Sequence, residues 1–317
     1  MIIKLLIQSL GRKNMNELIQ VGENTFYLSG PFHVGVYVLQ DTDGFDKDDI
    51  CAGDVCLIDS GVDKVVARVL DKILQERNFR VKYIINTHYH ADHCGGNAYF
   101  KEKYNCKIYS TKPNVALISN FDICPAIIWG ASPIKEILNN YFYATSTNAE
   151  NIEDVELPEG LSYVELTGHA MSMLCVRTKD DILFVGDAVV SKETIDKHPI
   201  VYEYEIGSYL DSLDVLKNIK ASLYIPYHAQ PVKNIKNLIK VNRQNVLDNI
   251  ETIKRICGEP RHIDEIISMF FNERGLKLSL YKYAVEGGIM RTYVTYLYNN
   301  GELTAENIDN YIKWRTV

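Results

Sequence analysis

The 317-residue sequence has no Cys-x-x-Cys pair, and its seven cysteines are scattered and odd in number. That argues against a cysteine-built metal clip or a disulfide framework. It reads as the reduced, mostly buried thiols of a cytoplasmic protein. No run approaches the ~18 apolar residues of a membrane span, so no membrane partner is expected. Positive charge is also in short supply, with 34 Lys and Arg against 41 Asp and Glu, a formal charge of −7. This disfavours nonspecific nucleic-acid binding as the main activity. No short-period repeat is present, and no Ser-His-Asp spacing argues for a nucleophilic triad. Residues 1–14 carry an apolar stretch too short for a secretory signal and no small-residue cleavage site. Met15 reads like a natural start, so residues 1–14 are expected to be an extension dispensable for the fold.

What is present is ordinary for a globular protein with ample core, 46% hydrophobic and 24% charged, with length for one large domain or two unequal ones. Against that background one stretch stands out. Thr87-His88-Tyr89-His90-Ala91-Asp92-His93-Cys94-Gly95-Gly96 places three imidazoles and a carboxylate within six residues, directly after the apolar run that ends at Ile85. No packed core needs this. Neutral imidazoles and a carboxylate are borderline ligands that suit zinc, iron or manganese. Cys94 beside the cluster reads as a small packing residue.

Hydrophobic periodicity organises the rest. Residues 17–40 alternate short apolar runs and read as antiparallel strands, followed by an acidic loop over 41–49. Residues 55–59 read as a buried strand, and Val62 to Leu74 have helical spacing. A strand at 81–86, a helix at 97–104 and a strand at 106–109 follow. The proline-punctuated, aromatic-rich segment 112–150 has no sheet pattern and reads as a lid and partner surface, compatible with a homodimer. Strands are expected at 152–156, 161–166, 173–178, 182–187 and 222–226, with a helix near 208–219. Strand-rich and helical stretches recur twice, which suggests two αβ halves packed sheet to sheet. After Val232 the pattern turns helical, with helices at 234–256, 263–274 and 281–299 and a short polar end. The expected domains are therefore 1–233 and 234–317.

Three further ligand-type residues close apolar strands or their turns: His169, Asp187 and His228. Five of the eight histidines thus fall at such places. His33 reads as core, His198 and His262 as loop or surface, with His198 also a candidate substrate contact.

Taken together, His88-x-His90-x-Asp92-His93, Gly168-His169, Gly186-Asp187 and Pro226-x-His228 resemble the metallo-β-lactamase superfamily over roughly residues 17–233. The resemblance implies an α+β fold, a four-layer αββα sandwich with the site at one sheet edge. It implies a first metal on His88, His90 and His169, a second on Asp92, His93 and His228, and Asp187 bridging the two. Asp59, at the end of its strand, would orient a ligand, so that Asp92, Asp187 and Asp59 are the carboxylates tied to catalysis. Two divalent ions about 4 Å apart share a water and lower its pKa toward ~7, which gives a bridging hydroxide able to attack a substrate. Zinc is the expected ion, with iron or manganese as alternatives. Tyr89 and Tyr227 flank ligands and are candidate substrate contacts, or else pack beside them.

The full ligand set resembles that of glyoxalase II-like thioesterases, although their glutathione-binding segment is not recognisable after residue 234. What stands there resembles a small helical, winged-helix-like domain carried by some superfamily members, some of which act on RNA. The loops depart from the common pattern at Thr167-Gly168-His169 and at Tyr227-His228-Ala229. The leading expectation is a metallo-hydrolase acting on a small-molecule ester, thioester or lactone. The alternatives are a phosphodiesterase or endoribonuclease on the same metals, and a non-hydrolytic iron oxidoreductase. No basic stripe emerges in the C-terminal region, so nucleic acid is not the favoured partner.

Overall fold

The computed structural model describes residues 17–40, 53–139 and 141–317. The 1–14 extension, Cys51 and the acidic loop 41–49 lie outside the described residues.

Seven strands form the first sheet in chain order: β1 (Leu18–Gln20), β2 (Thr25–Leu28), β3 (Gly35–Val38), β4 (Asp54–Ile58), β5 (Arg80–Ile85), β6 (Lys107–Ser110) and β7 (Glu150–Asn151). Pairing is antiparallel from β1 to β4 and parallel from β4 to β7. Parallel neighbours need crossovers, and helices supply them. These are α1 (Lys64–Gln75), then α2 (Ala91–Cys94) and α3 (Asn97–Tyr104), then α4 (Lys112–Ile118) and α5 (Ile123–Trp129). The α1 start is set by Asp63, whose carboxylate accepts from the Val65 and Val66 backbone N–H groups.

The second sheet has the order β11-β10-β9-β8, from β8 (Leu161–Leu166), β9 (Met173–Thr178), β10 (Ile182–Gly186) and β11 (Leu223–Pro226). Helices α6 (Lys192–Lys197) and α7 (Ile206–Asn218) lie in the connection between the parallel strands β10 and β11. Three helices follow, α8 (Lys236–Ile256), α9 (Ile263–Glu273) and α10 (Leu280–Asn299).

Period-two alternation decides how the layers stack. In β4, Val55 and Leu57 face the α1/α3 side while Cys56 and Ile58 face the other sheet. In β10, Ile182 and Phe184 face the first sheet, and Leu183 and Val185 face α7 and α8. One apolar layer thus fills the space between the sheets and one lies under each outer helix layer, which makes the αββα sandwich.

Two expectations need correction. Residues 152–156 do not form a strand: the pairing ends with the two-residue β7, and Ile152–Asp154 is a single 3-10 turn. The C-terminal end is not merely polar loop. It is an antiparallel hairpin, β12 (Leu303–Ile308) and β13 (Tyr311–Thr316), so that the region after Val232 runs helix, helix, helix, hairpin. Its apolar residues belong to the same cluster as the outer face of the second sheet, with Leu183, Leu213, Val246, Phe270 and Leu303 all in one core. Segment 112–150 is packed down in part, while Ile123, Ile127, Leu138 and Tyr143 stay exposed. Phe121 and Cys124 cover the ligand loop beside Tyr89 and Ala91, and α5 contacts α10.

Candidate metal centre

The site forms where strands stop. Asp59 follows β4, residues 87–93 follow β5, Asp187 follows β10 and His228 follows β11, all at the C-terminal ends of parallel-paired strands. His169 comes from the turn between β8 and β9. Sheet stacking brings these ends to one edge of the sandwich.

The seven expected ligands gather into two groups that share one residue. His88, His90, His169 and Asp187 form one; Asp92, His93, His228 and Asp187 form the other, with ligand atoms within 4.8 Å of one another in each. In the first, His90 Nδ1 lies 2.8 Å from His88 Nε2 and 3.2 Å from His169 Nε2. Asp187 Oδ2 lies 3.5 Å from His169 Nε2 and 3.4 Å from His228 Nε2. Its Oδ1 is 3.3 Å from His93 Nε2, and His228 Nε2 is 3.2 Å from Asp92 Oδ2. A tetrahedral ion with ligands at about 2.0–2.1 Å spaces its ligand atoms about 3.3 Å apart. The donor set therefore fits divalent metal in both spacing and chemistry. A second observation agrees: His93 Nε2 and Asp187 Oδ1 are buried, face one another and have no hydrogen-bond partner. Buried polar atoms are rarely left so.

Neighbouring groups hold the ligands in place. Asp59 sits at φ 64°, a left-handed conformation that a side chain occupies at a cost of about 1–2 kcal/mol. Its oxygens accept from the Thr87 backbone N–H (2.8 Å) and the Thr87 hydroxyl (2.9 Å). Asp59 Oδ2 also lies 2.7 Å from His93 Nδ1, which turns Nε2 toward the site. Gly95 and Gly96 let the ligand loop approach the Ser60–Asp63 backbone, where a Cβ would come within 2.1 and 2.2 Å of the Val62 and Ser60 carbonyl oxygens.

The electrostatics split the imidazoles. Burial, with His169 alongside, depresses His90 to about 3. Burial and the three neighbouring imidazoles likewise keep His88 well below the ordinary value. Burial also disfavours charge on His228, but the Asp187 and Asp92 carboxylates outweigh it and raise it to about 10. Asp187 is held well below the usual carboxylate range, because the facing imidazoles overcome its burial. Without metal, the cluster balances its carboxylates with protons on one set of imidazoles and leaves the other set neutral.

The candidate substrate contacts Tyr227, Tyr89 and His198 differ in placement. Tyr227 is buried, stacks on His93 with centroids 3.8 Å apart and donates its hydroxyl to the Asp92 carbonyl at 2.7 Å. It supports the ligands from behind, because its one polar atom is already used. Tyr89 is also buried, edge-on to His90, with its phenol 3.4 Å from that of Tyr202. His198 ends α6 exposed beside Lys197 and Lys282, whose charges, after burial, lower its pKa. Cys94 is buried and donates its thiol to the His88 carbonyl.

Two neighbours of the site had no signal in the sequence. Glu203 is buried with Oε2 3.6 Å from His169 Nδ1, and burial pushes its carboxyl up to about 7 against the opposing pull of His169. Tyr202 lies edge-on to His90 at 4.7 Å. Both sit in a loop between helices, where neither periodicity nor a strand end marks them.

Similarity to known proteins agrees with this geometry. A hydroxyacylglutathione hydrolase from Prochlorococcus marinus is 29% identical over 233 residues, covering 72% of this chain and 80% of that one. One from Pelagibacter ubique is 40% identical over 62 residues, only 20% of this chain and 26% of its own length. Among solved structures, a β-lactamase domain protein from Burkholderia ambifaria superposes with a TM-score of 0.69 at 18% identity, covering 95% of this chain and 94% of that one. The family model for the metallo-β-lactamase superfamily matches residues 52–228, more than half of the chain, and the chain belongs to that superfamily.

Proposed function

We propose that the chain is a dinuclear metallo-hydrolase, with zinc as the ion pair and a small ester or thioester as substrate. The observation that carries this reading is Asp187, which both ligand groups share and whose Oδ2 lies 3.5 Å from His169 of one and 3.4 Å from His228 of the other. His88, His90 and His169 would hold one ion, Asp92, His93 and His228 the other, with Asp187 between them. When bound, two such ions supply a water activated near neutral pH and positive charge to polarise a carbonyl. The chain's own residues prepare for this. Asp59 fixes the ring of His93, Tyr227 packs behind the ligands, and the lowered pKa values of buried His88 and half-buried His90 favour the neutral form that donates a lone pair. The hydroxyacylglutathione hydrolase relatives support a thioester as the bond cleaved.

The test is elemental analysis of untreated protein, together with turnover of an acyl-glutathione thioester. Two zinc ions per chain with thioester turnover are expected. His88→Ala and Asp187→Ala are expected to lose most metal and activity while keeping the far-UV circular dichroism of the parent. Iron with oxygen consumption, or cleavage of RNA or of a bis-aryl phosphodiester without thioester turnover, would overturn the assignment.

A further inference from the structure

We propose that Glu203 is a positioning residue for the ligand His169, presented by a loop that the C-terminal helix α8 braces through Asn245 and Asn249. The inference rests on the metal-site reading above and adds a third layer to it.

The starting point is a pair of unmatched atoms. His169 Nδ1 and Glu203 Oε2 are each buried without a hydrogen-bond partner, and they lie 3.6 Å apart. That is about 0.7 Å longer than a charge-assisted N–H···O bond. If His169 presents Nε2 to an ion, its proton must sit on Nδ1, which then needs an acceptor. The Glu203 carboxylate is the acceptor that lies beside it.

Glu203 is not held by chance. Its loop is stitched to the ligand turn, since the Tyr204 and Glu205 backbone N–H groups donate to the Gly168 carbonyl at 2.7 and 2.9 Å. Gly168 has φ +104°, and a Cβ there would come within 2.1 Å of the Tyr209 backbone nitrogen, so turn and loop are in direct contact. The Glu205 carboxylate caps α7 by accepting from Gly207 and Ser208. Tyr209 stands in the first turn of that helix.

Tyr209 leads on to α8. Its hydroxyl lies 3.4 Å from Asn242 Oδ1, an atom that already accepts from the Val190 backbone N–H at 3.1 Å. Asn242 Nδ2 donates to the Val190 carbonyl at 2.8 Å, so the amide grips that residue on both sides, three positions beyond Asp187. Further along α8, Asn245 and Asn249 donate to the Pro199 carbonyl at 3.1 and 2.9 Å. The loop that presents Glu203 is thus fastened to α8 at Pro199 and to the ligand turn at Tyr204 and Glu205.

The test measures zinc affinity by chelator competition on the full chain, together with the melting temperature of the metal-free form. Glu203→Leu keeps volume but offers no acceptor; Glu203→Gln keeps an acceptor oxygen. Glu203→Leu is expected to weaken one of the two zinc sites about 10–100-fold and leave the other as in the parent. Glu203→Gln should fall clearly less, a rescue that pure packing would not give. Asn245→Ala, which removes one tie to the Pro199 carbonyl, should weaken the same site about threefold. If Glu203→Leu does not fold, the Gln and Ala variants carry the comparison. A parent that takes up no zinc overturns the metal reading and this proposal with it. A parent that binds zinc, with variants of unchanged affinity, overturns this proposal alone.

Discussion

At the scale of single residues, Asp71 shows how a buried charge is made stable away from the metal centre. It lies on the inner side of α1 with 2% exposure and receives hydrogen bonds from Tyr99 (2.6 Å), Gln75 (2.8 Å), Tyr104 and the Lys103 ammonium. Burial alone would raise its pKa, but these four donors outweigh burial and lower it. A carboxyl with a folded pKa below its unfolded value of about 3.9 stabilises the fold above that value and loses the contribution as pH falls through the folded pKa. Asp71→Asn should therefore lower stability by about 2–3 kcal/mol at neutral pH and flatten the loss of stability below about pH 4. Urea titrations at a series of pH values measure both, and parallel acid limbs for parent and variant would contradict the assignment.

The ligands of the candidate site were legible at this scale for the opposite reason. His88, His90, Asp92, His93, His169, Asp187 and His228 each stand where an apolar strand or its turn ends, and no core packing explains them. Asp59 was legible for the same reason. Glu203 and Tyr202 were not. Their roles exist only once the loop after α6 folds back on Gly168, and a single Glu in a chain with 41 acidic residues carries no mark of that. For Tyr227 and Tyr89 two readings stood, substrate contact or packing beside the ligand, because adjacency to a ligand says nothing about which way a ring turns. Both turn inward, where their hydroxyls are already partnered.

At the scale of elements, patterned strands and long amphipathic helices could be read closely, and β8, β9 and α3 have the expected bounds. The final hairpin could not, because it buries only Leu303 fully, leaves Tyr311 and Ile312 exposed, and has an unusual turn signal. Asp309 and Asn310 have φ of 54° and 62°, so the turn is left-handed at both central positions. Asn-Gly or Asp-Gly would have announced it, whereas Asp-Asn reads as ordinary polar end. Once formed, the hairpin is anchored by paired backbone bonds between Arg261 and Trp314 at 3.0 and 2.7 Å. Asn310→Gly should leave stability unchanged or slightly raised, since glycine adopts this conformation freely. Asn310→Val, β-branched at the same φ, should cost about 1–2 kcal/mol. Thermal melts of the two variants against the parent read this directly, and equal melting temperatures would mean that the turn is not held in this form.

At the scale of the whole molecule, the change to a helical pattern near residue 234 marks a change of architecture without a change of core. A free-standing domain would need its own apolar centre. Here Ile250, Ile253, Phe270, Ile289 and Leu297 belong to the cluster that also contains Leu183, Val185 and Leu213 from the second sheet and α7. Polar bonds cross the same junction, from Asn242 to Val190 and from Arg243 to Asp214 at 2.6 Å. Both the hydrophobic and the polar contacts therefore make folding of the C-terminal region depend on the sheet it covers. The two tryptophans, Trp129 and Trp314, pack against this shared cluster, so their fluorescence follows its opening. In metal-free protein titrated with urea, that signal and far-UV circular dichroism should give coincident transitions, the mark of one cooperative unit. Removal of residues 258–317 should then yield a chain that does not fold, because it strips apolar partners from α7 and α8. A tryptophan transition at clearly lower urea than the dichroism transition, or a folded truncated chain, would show instead that the helices and hairpin form a separable domain.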